Sequence, residues 1–339
     1  MSLVVFLEIK VAVAVKPTPR YAVNHGHLDH REVIRLEAIV PDKIVPTRNV
    51  NVTDLHWRHN NMATHPVKED AIKPGHIIRR KQNGDLEYLH DDLTVEEPLE
   101  IRIGRKTVAT TMRTPGSDEE LAAGFLVSEG IIQASEQIAN FSRPAGARNQ
   151  DNIIITTLAE GTKVILNSAR RFGTISSSCG ICGKESIGAI RQNFPVIKSE
   201  KDIRIDVKTL FLLPSALREG QSDFARTGGI HAAGIFGFDG RARTVREDIG
   251  RHNAVDKVIG CAFLNRELPL TRCILLVSGR ASLEIMQKAL SAGTPIVASV
   301  SAPSTLAMEF ARECNQTLIG FLRPPSFNIY SHAERIILD

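Results

Sequence analysis

Residues 273–277, CILLV, are five consecutive apolar positions, and 296–300, IVASV, and 317–322, TLIGFL, repeat that texture. Unbroken apolar runs of this length are what strands buried on both faces present, as in parallel sheets. Between them the period changes. Residues 282–291 and 306–313 space their apolar positions as helices do, the first opened by Ser282 and closed by Gly293. The order strand, helix, strand, helix, strand predicts three parallel strands with right-handed crossovers. In an open parallel sheet, ligands bind outside the carboxyl ends of the strands. Three loops therefore converge on one edge: Ser278-Gly279-Arg280, residues 301–304 from Ser301 to Ser304, and Arg323-Pro324-Pro325-Ser326. Two of them lead into helix N-termini, which favour phosphate, and Arg280 and Arg323 add fork-shaped donors. The edge suits a phosphorylated or nucleotide-bearing ligand, although capping and turn formation alone would use the same Ser and Gly residues.

Upstream, 98–111 alternates apolar and polar around Gly104-Arg105 and predicts a β-hairpin. Ser117 and Glu120 form a capping-box pattern for a helix through Leu121, Phe125 and Leu126 that ends at Gly130. Residues 153–157 and 163–166 are two short strands, 194–204 a linker, and 207–217 a helix broken or kinked at Pro214. After Thr227-Gly228-Gly229-Ile230-His231, residues 232–245 form a second hairpin with Asp239-Gly240 as a type I′ turn. In the string REDIGRHNAVDKVIG that follows, Asp248 caps a helix through Val255, Val258 and Ile259 to about Leu264, with Arg251, His252 and Asn253 in its first turn. Regular patterning begins at about residue 77. Residues 1–76 are thus a poorly ordered extension, 77–205 a smaller α+β N-terminal subdomain, and 206–339 an α/β domain. The extension carries HGHLDH at His25–His30, which matches the metal motif of metallo-β-lactamases. Only 24 residues precede it, too few for the sheet that motif follows, so the match is read as coincidental, with adventitious metal binding left open.

Composition narrows the function. Of 339 residues, 42% are hydrophobic and 24% charged, as in a soluble globular protein. No run of about 18 apolar residues exists to span a membrane. The opening MSLVVFLEIKVAVAVK is interrupted by Glu8 and Lys10 and lacks a signal-peptide cleavage site, so a cytoplasmic protein is expected. A net charge of +4, one Trp and three Tyr argue against nucleic-acid binding. Of five cysteines, Cys261, Cys273 and Cys314 sit in apolar stretches, which suits reduced thiols. The other two, Cys179 and Cys182, form a C-x-x-C pair in RFGTISSSCGICGKESIG, residues 171–188, a polar loop with glycines at 173, 180, 183 and 188. Such a pair can hold a metal, exchange disulfides, or carry sulfur as a persulfide. Zinc is disfavoured, because a structural site needs a second ligand pair and none exists. Disulfide exchange is possible but unspecified without the strand-to-helix context of thioredoxin-like motifs. Sulfur transfer suits an accessible loop that must visit two partners, with Lys184 placed to lower a thiol pKa. Two ordinary loop cysteines are the fourth possibility.

CGICG at 179–183, TGGIHAAG at 227–234, REDIGRHNAVDK at 246–257, SGRAS at 278–282 and FLRPPS at 321–326 occur in this order. Together they resemble the formate dehydrogenase accessory sulfurtransferases, the FdhD family, over residues 77–339. The resemblance implies a protein that takes persulfide sulfur from a cysteine desulfurase. It passes the sulfur to the bis-molybdopterin guanine dinucleotide (Mo-bis-MGD) form of the molybdenum cofactor, which is then inserted into formate dehydrogenase. Cys179 maps to the persulfide carrier and Cys182 to its companion, making the chain a sulfurtransferase. A cofactor chaperone without sulfur transfer and a thiol–disulfide oxidoreductase are the alternatives. The family's cofactor segment F-x-K-P-x-R reads Phe321-Leu322-Arg323-Pro324-Pro325-Ser326 here. Arg323 keeps the charge of the lysine, while Ser326 replaces the arginine and leaves that contact in doubt. Phe321, Leu322, Arg323, Pro324, Pro325, Ser326, Ser278, Gly279, Arg280, Ser301 and His231 are the cofactor-binding candidates. Thr227, Gly228 and Gly229 allow close backbone approach. Glu247 and Asp248, beside Arg246 and Arg251, could orient a pterin or guanine or simply form ion pairs and a helix cap. The family is also similar in fold to cytidine deaminases, a three-layer α/β/α sandwich. However, no glutamate follows His252, and SGRAS stands where deaminases place P-C-x-x-C, so no catalytic zinc is expected. Proteins of this shape often pair as homodimers, the expected assembly.

Overall fold

The computed structural model of the protein describes residues 71–146, 149–162, 194–198 and 203–338. The HGHLDH string, the strand expected at 163–166, Lys184 and both members of the C-x-x-C pair, Cys179 and Cys182, lie outside the described residues.

The chain folds as a mixed α/β protein with six helices among the described residues. The strands β1 (Ile72–Arg80) and β2 (Leu86–Thr94) form an antiparallel ribbon. The hairpin expected over 98–111 is present as β3 (Glu97–Ile103) and β4 (Lys106–Arg113), turned by Gly104 at φ 56°. With β5 (Ile138–Ser142) and β6 (Ile153–Leu158) it makes a four-stranded sheet in the order β4-β3-β6-β5. Between β4 and β5 lies α1 (Asp118–Ser128). Its start differs from the capping-box expectation. Ser117 sits in the left-handed region at φ 53° and its hydroxyl caps nothing. The carboxylate of Glu120 reaches away from the helix to Arg246, with Nε and Nη2 at 2.6 and 2.7 Å, and a paired charge outcompetes a local cap.

The second sheet has six strands in the order β13-β12-β11-β10-β8-β9. β10 (Cys273–Val277), β11 (Ile296–Ser299) and β12 (Thr317–Arg323) are parallel, as their apolar runs imply. β8 (His231–Gly237) is antiparallel to β10 and to its hairpin partner β9 (Ala242–Asp248), and β13 (Ser326–Ser331) is antiparallel to β12. The β8–β9 turn is not type I′, which needs positive φ at two central residues. Only Gly240 has one, 77°, and its amide donates to the Gly237 carbonyl, so a turn over 237–240 is closed by a left-handed glycine. Alternation along β10 sends Cys273, Leu275 and Val277 to one face and Ile274 and Leu276 to the other.

On the second face packs α2 (Val207–Glu219), through Leu210, Leu213 and Leu217. This helix follows the two-residue strand β7 (Ile205–Asp206), which pairs with β14 (Ile336–Ile337). It is not broken at Pro214 but runs through it, because three fully buried leucines outweigh one lost backbone hydrogen bond. A short helix, α3 (Ser222–Thr227), precedes β8 and had no signal in the hydrophobic pattern. The first face carries α4 (Arg251–Leu264), α5 (Leu283–Ser291) and α6 (Thr305–Glu313). The same core continues through α1 into the four-stranded sheet, so Leu99, Ile101 and Ile154 belong with Leu275 and Val297. Among the described residues no helix is long and apolar enough to cross a membrane.

Candidate functional site

The three loops at the carboxyl ends of the parallel strands meet, and the backbone explains how. β11 ends in Ser299, a buried hydroxyl that donates to the Gly279 carbonyl at 2.7 Å and accepts from the Ser301 amide at 3.0 Å. Ala281 and Ser304 exchange backbone bonds with the neighbouring loop: the Ala281 amide donates to Ala302 and the Ser304 amide to Ala281. The Phe321 amide donates to the Ser301 carbonyl, and Arg323 Nε donates to the Val300 carbonyl at 2.9 Å. Residues 278–280, 301–304 and 321–326 thus form one connected edge. Ser299 was missed in the sequence reading. Its only signal is a hydroxyl closing an otherwise apolar strand.

On this edge Phe321 is 43% exposed and adopts φ 52°, a conformation rare for a bulky residue. The β12–β13 register shifts between Gly320 and Arg323, and that irregularity turns the phenyl ring outward. Arg280, Arg323, Pro324, Pro325 and Ser326 are exposed, while Leu322 is fully buried in the core beneath them. Ser278 accepts from the Ala232 amide at 2.9 Å and so fastens the first loop to β8.

His231 opens β8 beside Gly279. A Cβ placed on that glycine would lie 3.4 Å from His231 Nδ1 and 3.4 Å from Arg251 Cδ, so all three residues are in contact range. Burial first, then the Arg251 charge, lowers the His231 pKa, against the opposing pull of Asp248. His252 is lowered further, to about 4, by burial and then by Lys288 and Arg251. Its Nε2 lies 3.3 Å from the Ser282 hydroxyl and 4.0 Å from Glu284. Burial raises the Glu284 pKa, but the Ser282 hydroxyl and the nearby positive charges outweigh it, so the carboxyl titrates below its usual range.

The acidic and basic residues of 246–257 are mostly engaged in structure. Arg246 pairs with Glu120. The Glu247 carboxylate accepts the Asp223 and Phe224 amides at 2.9 and 2.8 Å and so caps α3. Asp248 is not the cap of α4, a position held by Gly250. Fully buried, it accepts from the amides of Gly250 (2.8 Å) and Thr114 (3.2 Å), from Asn253 Nδ2 (2.9 Å) and from Lys257 Nζ (2.7 Å). Thr227 and Gly228 are likewise structural, with Gly228 ending α3 at φ 65° and the Thr227 hydroxyl bonded to Asp223 and Thr94. Arg251 is the one of this group without a hydrogen bond or ion pair among the described residues.

A sequence profile of the FdhD/NarQ family matches residues 94–337. The sulfur carrier protein FdhD of Streptomyces coelicolor is 47% identical over 267 residues, 77% of this chain and 94% of that protein. Its counterpart from Mycolicibacterium paratuberculosis is 49% identical over 251 residues, 73% of this chain and 92% of that one. The one from Sulfurisphaera tokodaii is 41% identical over 261 residues, 76% of this chain and 96% of that one. Among solved structures, a protein of Desulfotalea psychrophila described as a formate dehydrogenase accessory protein superposes with a TM-score of 0.62 at 22% identity, over 79% of this chain and 100% of its own, a likeness of fold.

Proposed function

The chain belongs to the FdhD/NarQ family, and on that premise we propose that it is a sulfur carrier protein in the maturation of formate dehydrogenase. The observation that carries this is 47% identity across 94% of a sulfur carrier protein. In detail, the Cys179 thiolate attacks the outer sulfur of a cysteine desulfurase persulfide. The donor S–S bond breaks, its electron pair leaves on the donor thiolate, and a new S–S bond forms on Cys179. Cys182 assists in holding or handing on that sulfur. The acceptor substrate is the molybdenum cofactor in its Mo-bis-MGD form, seated on the edge of residues 278–280, 301–304 and 321–326. In support, that edge is stitched into one surface, presents Phe321 as an exposed aromatic face, and carries Arg280 and Arg323 as exposed cations. Helices on both faces of the six-stranded sheet are compatible with a cytidine-deaminase-like architecture. The protein would work in the cytoplasm, as a homodimer.

Intact-mass spectrometry after incubation with a cysteine desulfurase and cysteine tests the proposal. The expected result is a gain of one or more sulfur masses, reversed by reductant and absent from Cys179→Ala. No gain in the wild-type chain, with cofactor still bound, would replace sulfur transfer by cofactor escort.

A further inference from the structure

An arginine side chain pushed into a fold ordinarily finds a carboxylate or carbonyl there, because a buried guanidinium that has lost water must recover its hydrogen bonds. Arg113 and Arg246 do so in this protein. Arg251 does not. Its Nε is buried without a hydrogen-bond partner, and its guanidinium makes no hydrogen bond or ion pair with any described residue. The carboxylates that could have neutralised it are committed elsewhere. Asp248 is saturated by four donors, and Glu284 is held by the Ser282 hydroxyl and feels the Arg251 charge without a bond to it. The flanking imidazoles carry no negative charge to offer, and the Arg251 charge, after burial, lowers the pKa of both.

This side chain lies at the carboxyl-end edge. Its Cβ and Cδ rest against Gly279, in the first of the three joined loops, and His231 Nδ1 is in contact range of the same point. A Cβ at that position would touch both side chains at ordinary van der Waals distance. Arg280 and Arg323 stand in solvent on the same edge, where screening reduces what each can add to binding. Arg251 is half-buried, so its field is less screened and its donors are held in a fixed place. Resting on the proposed reading of this edge, we infer that Arg251 seats an oxyanion of the ligand, a phosphate of its nucleotide portion, and that His231, in contact range of the same glycine, lines the same position.

The test measures binding of guanosine diphosphate, guanosine and inorganic pyrophosphate to the full chain by calorimetry, for the wild type, Arg251→Gln and Arg251→Lys. Loss of a charge-assisted, fork-shaped contact weakens a phosphate ligand by roughly 10- to 100-fold. The expected result is such a loss for guanosine diphosphate and pyrophosphate in Arg251→Gln, partial recovery in Arg251→Lys, and guanosine affinity unchanged within about twofold in all three. An unchanged melting temperature in the variants would agree with a side chain that has no internal partner. Equal loss for guanosine and guanosine diphosphate would make Arg251 a mere prop of the edge and overturn the inference. So would unchanged guanosine diphosphate binding in Arg251→Gln, which would leave the edge reading intact. Pyrophosphate binding that depends on Arg251, with guanosine diphosphate no tighter, would do the reverse: the oxyanion seat stands and the guanine reading of the edge falls.

Discussion

At the scale of single residues, the edge is defined as much by charges it suppresses as by those it displays. His252 sits at the start of α4 within the fields of Lys288, Arg251 and Glu284, and with His231 in range. Burial leads in lowering its pKa from 6.5 to about 4, so the ring stays neutral where an exposed histidine would be half charged. The linkage sign follows. As pH falls below about 6.5 the unfolded chain binds a proton that the folded chain refuses, so stability is full at neutral pH and is lost progressively from about pH 6.5 down to about 4. With the side chain 31% exposed, the loss is on the order of 2 kcal/mol. Urea-unfolding midpoints at pH 7 and pH 4.5 should therefore diverge more in the wild type than in His252→Gln, and identical slopes in the two would sink this assignment. None of this could be read from the chain alone. The residue types of the string from Arg246 to Lys257 were legible, but their partners come from far away: Glu120 is 126 positions from Arg246, and Thr114 is 134 from Asp248.

At the scale of elements, the parallel strands and the helices between them were legible because burial on both faces leaves an unbroken apolar run that little else produces. Details that tertiary partners decide were not. Ser117 loses its cap to the Glu120–Arg246 pair, and α3 exists because Glu247 caps it from β9. Hidden too was the crossing of α1 and α4, where the hydrophobic pattern gives way to two glycines. A Cβ on Gly124 would sit 1.9 Å from the Asp256 carbonyl oxygen, and one on Gly260 would sit 1.8 Å from that of Glu120. The obstacles are backbone atoms inside helices, which cannot swing aside, so a methyl group at either position must drive the two helices apart. Separation would also strain the buried set of Ser128, Asp256 and Lys288, whose bonds of 2.8–3.1 Å join α1, α4 and α5. Gly124→Ala and Gly260→Ala should each lose roughly 3 kcal/mol in chemical denaturation, despite alanine's better helix propensity. A neutral or stabilising outcome at either site would show that the helices do not cross this closely in solution.

At the scale of the molecule, the two larger sheets share one hydrophobic core, and a polar seam runs beside it. The end of β4 meets the start of α4 there. Asn253 donates to the Met112 carbonyl at 2.7 Å and accepts from the Thr111 hydroxyl at 3.1 Å, while Lys257 donates to the Thr114 carbonyl at 3.0 Å. Asp248 is the centre of that seam, since it pairs directly with Lys257 and holds the Thr114 amide. Changing it to asparagine keeps the shape but leaves a buried ammonium uncompensated, a defect of about 3–5 kcal/mol. The consequence should reach beyond total stability. With the seam intact, amides of Leu99 and Ile101 in β3 and of Ile274 and Leu276 in β10 should exchange hydrogen only through the same global opening. In Asp248→Asn the four-stranded sheet loses its polar anchorage while the six-stranded sheet keeps both of its helical faces. The β3 amides should then exchange through a cheaper, partial opening, and the β10 amides should retain the higher protection. Equal protection of the two strands in the variant would mean that the shared apolar core couples the sheets by itself and that the seam only adds to it.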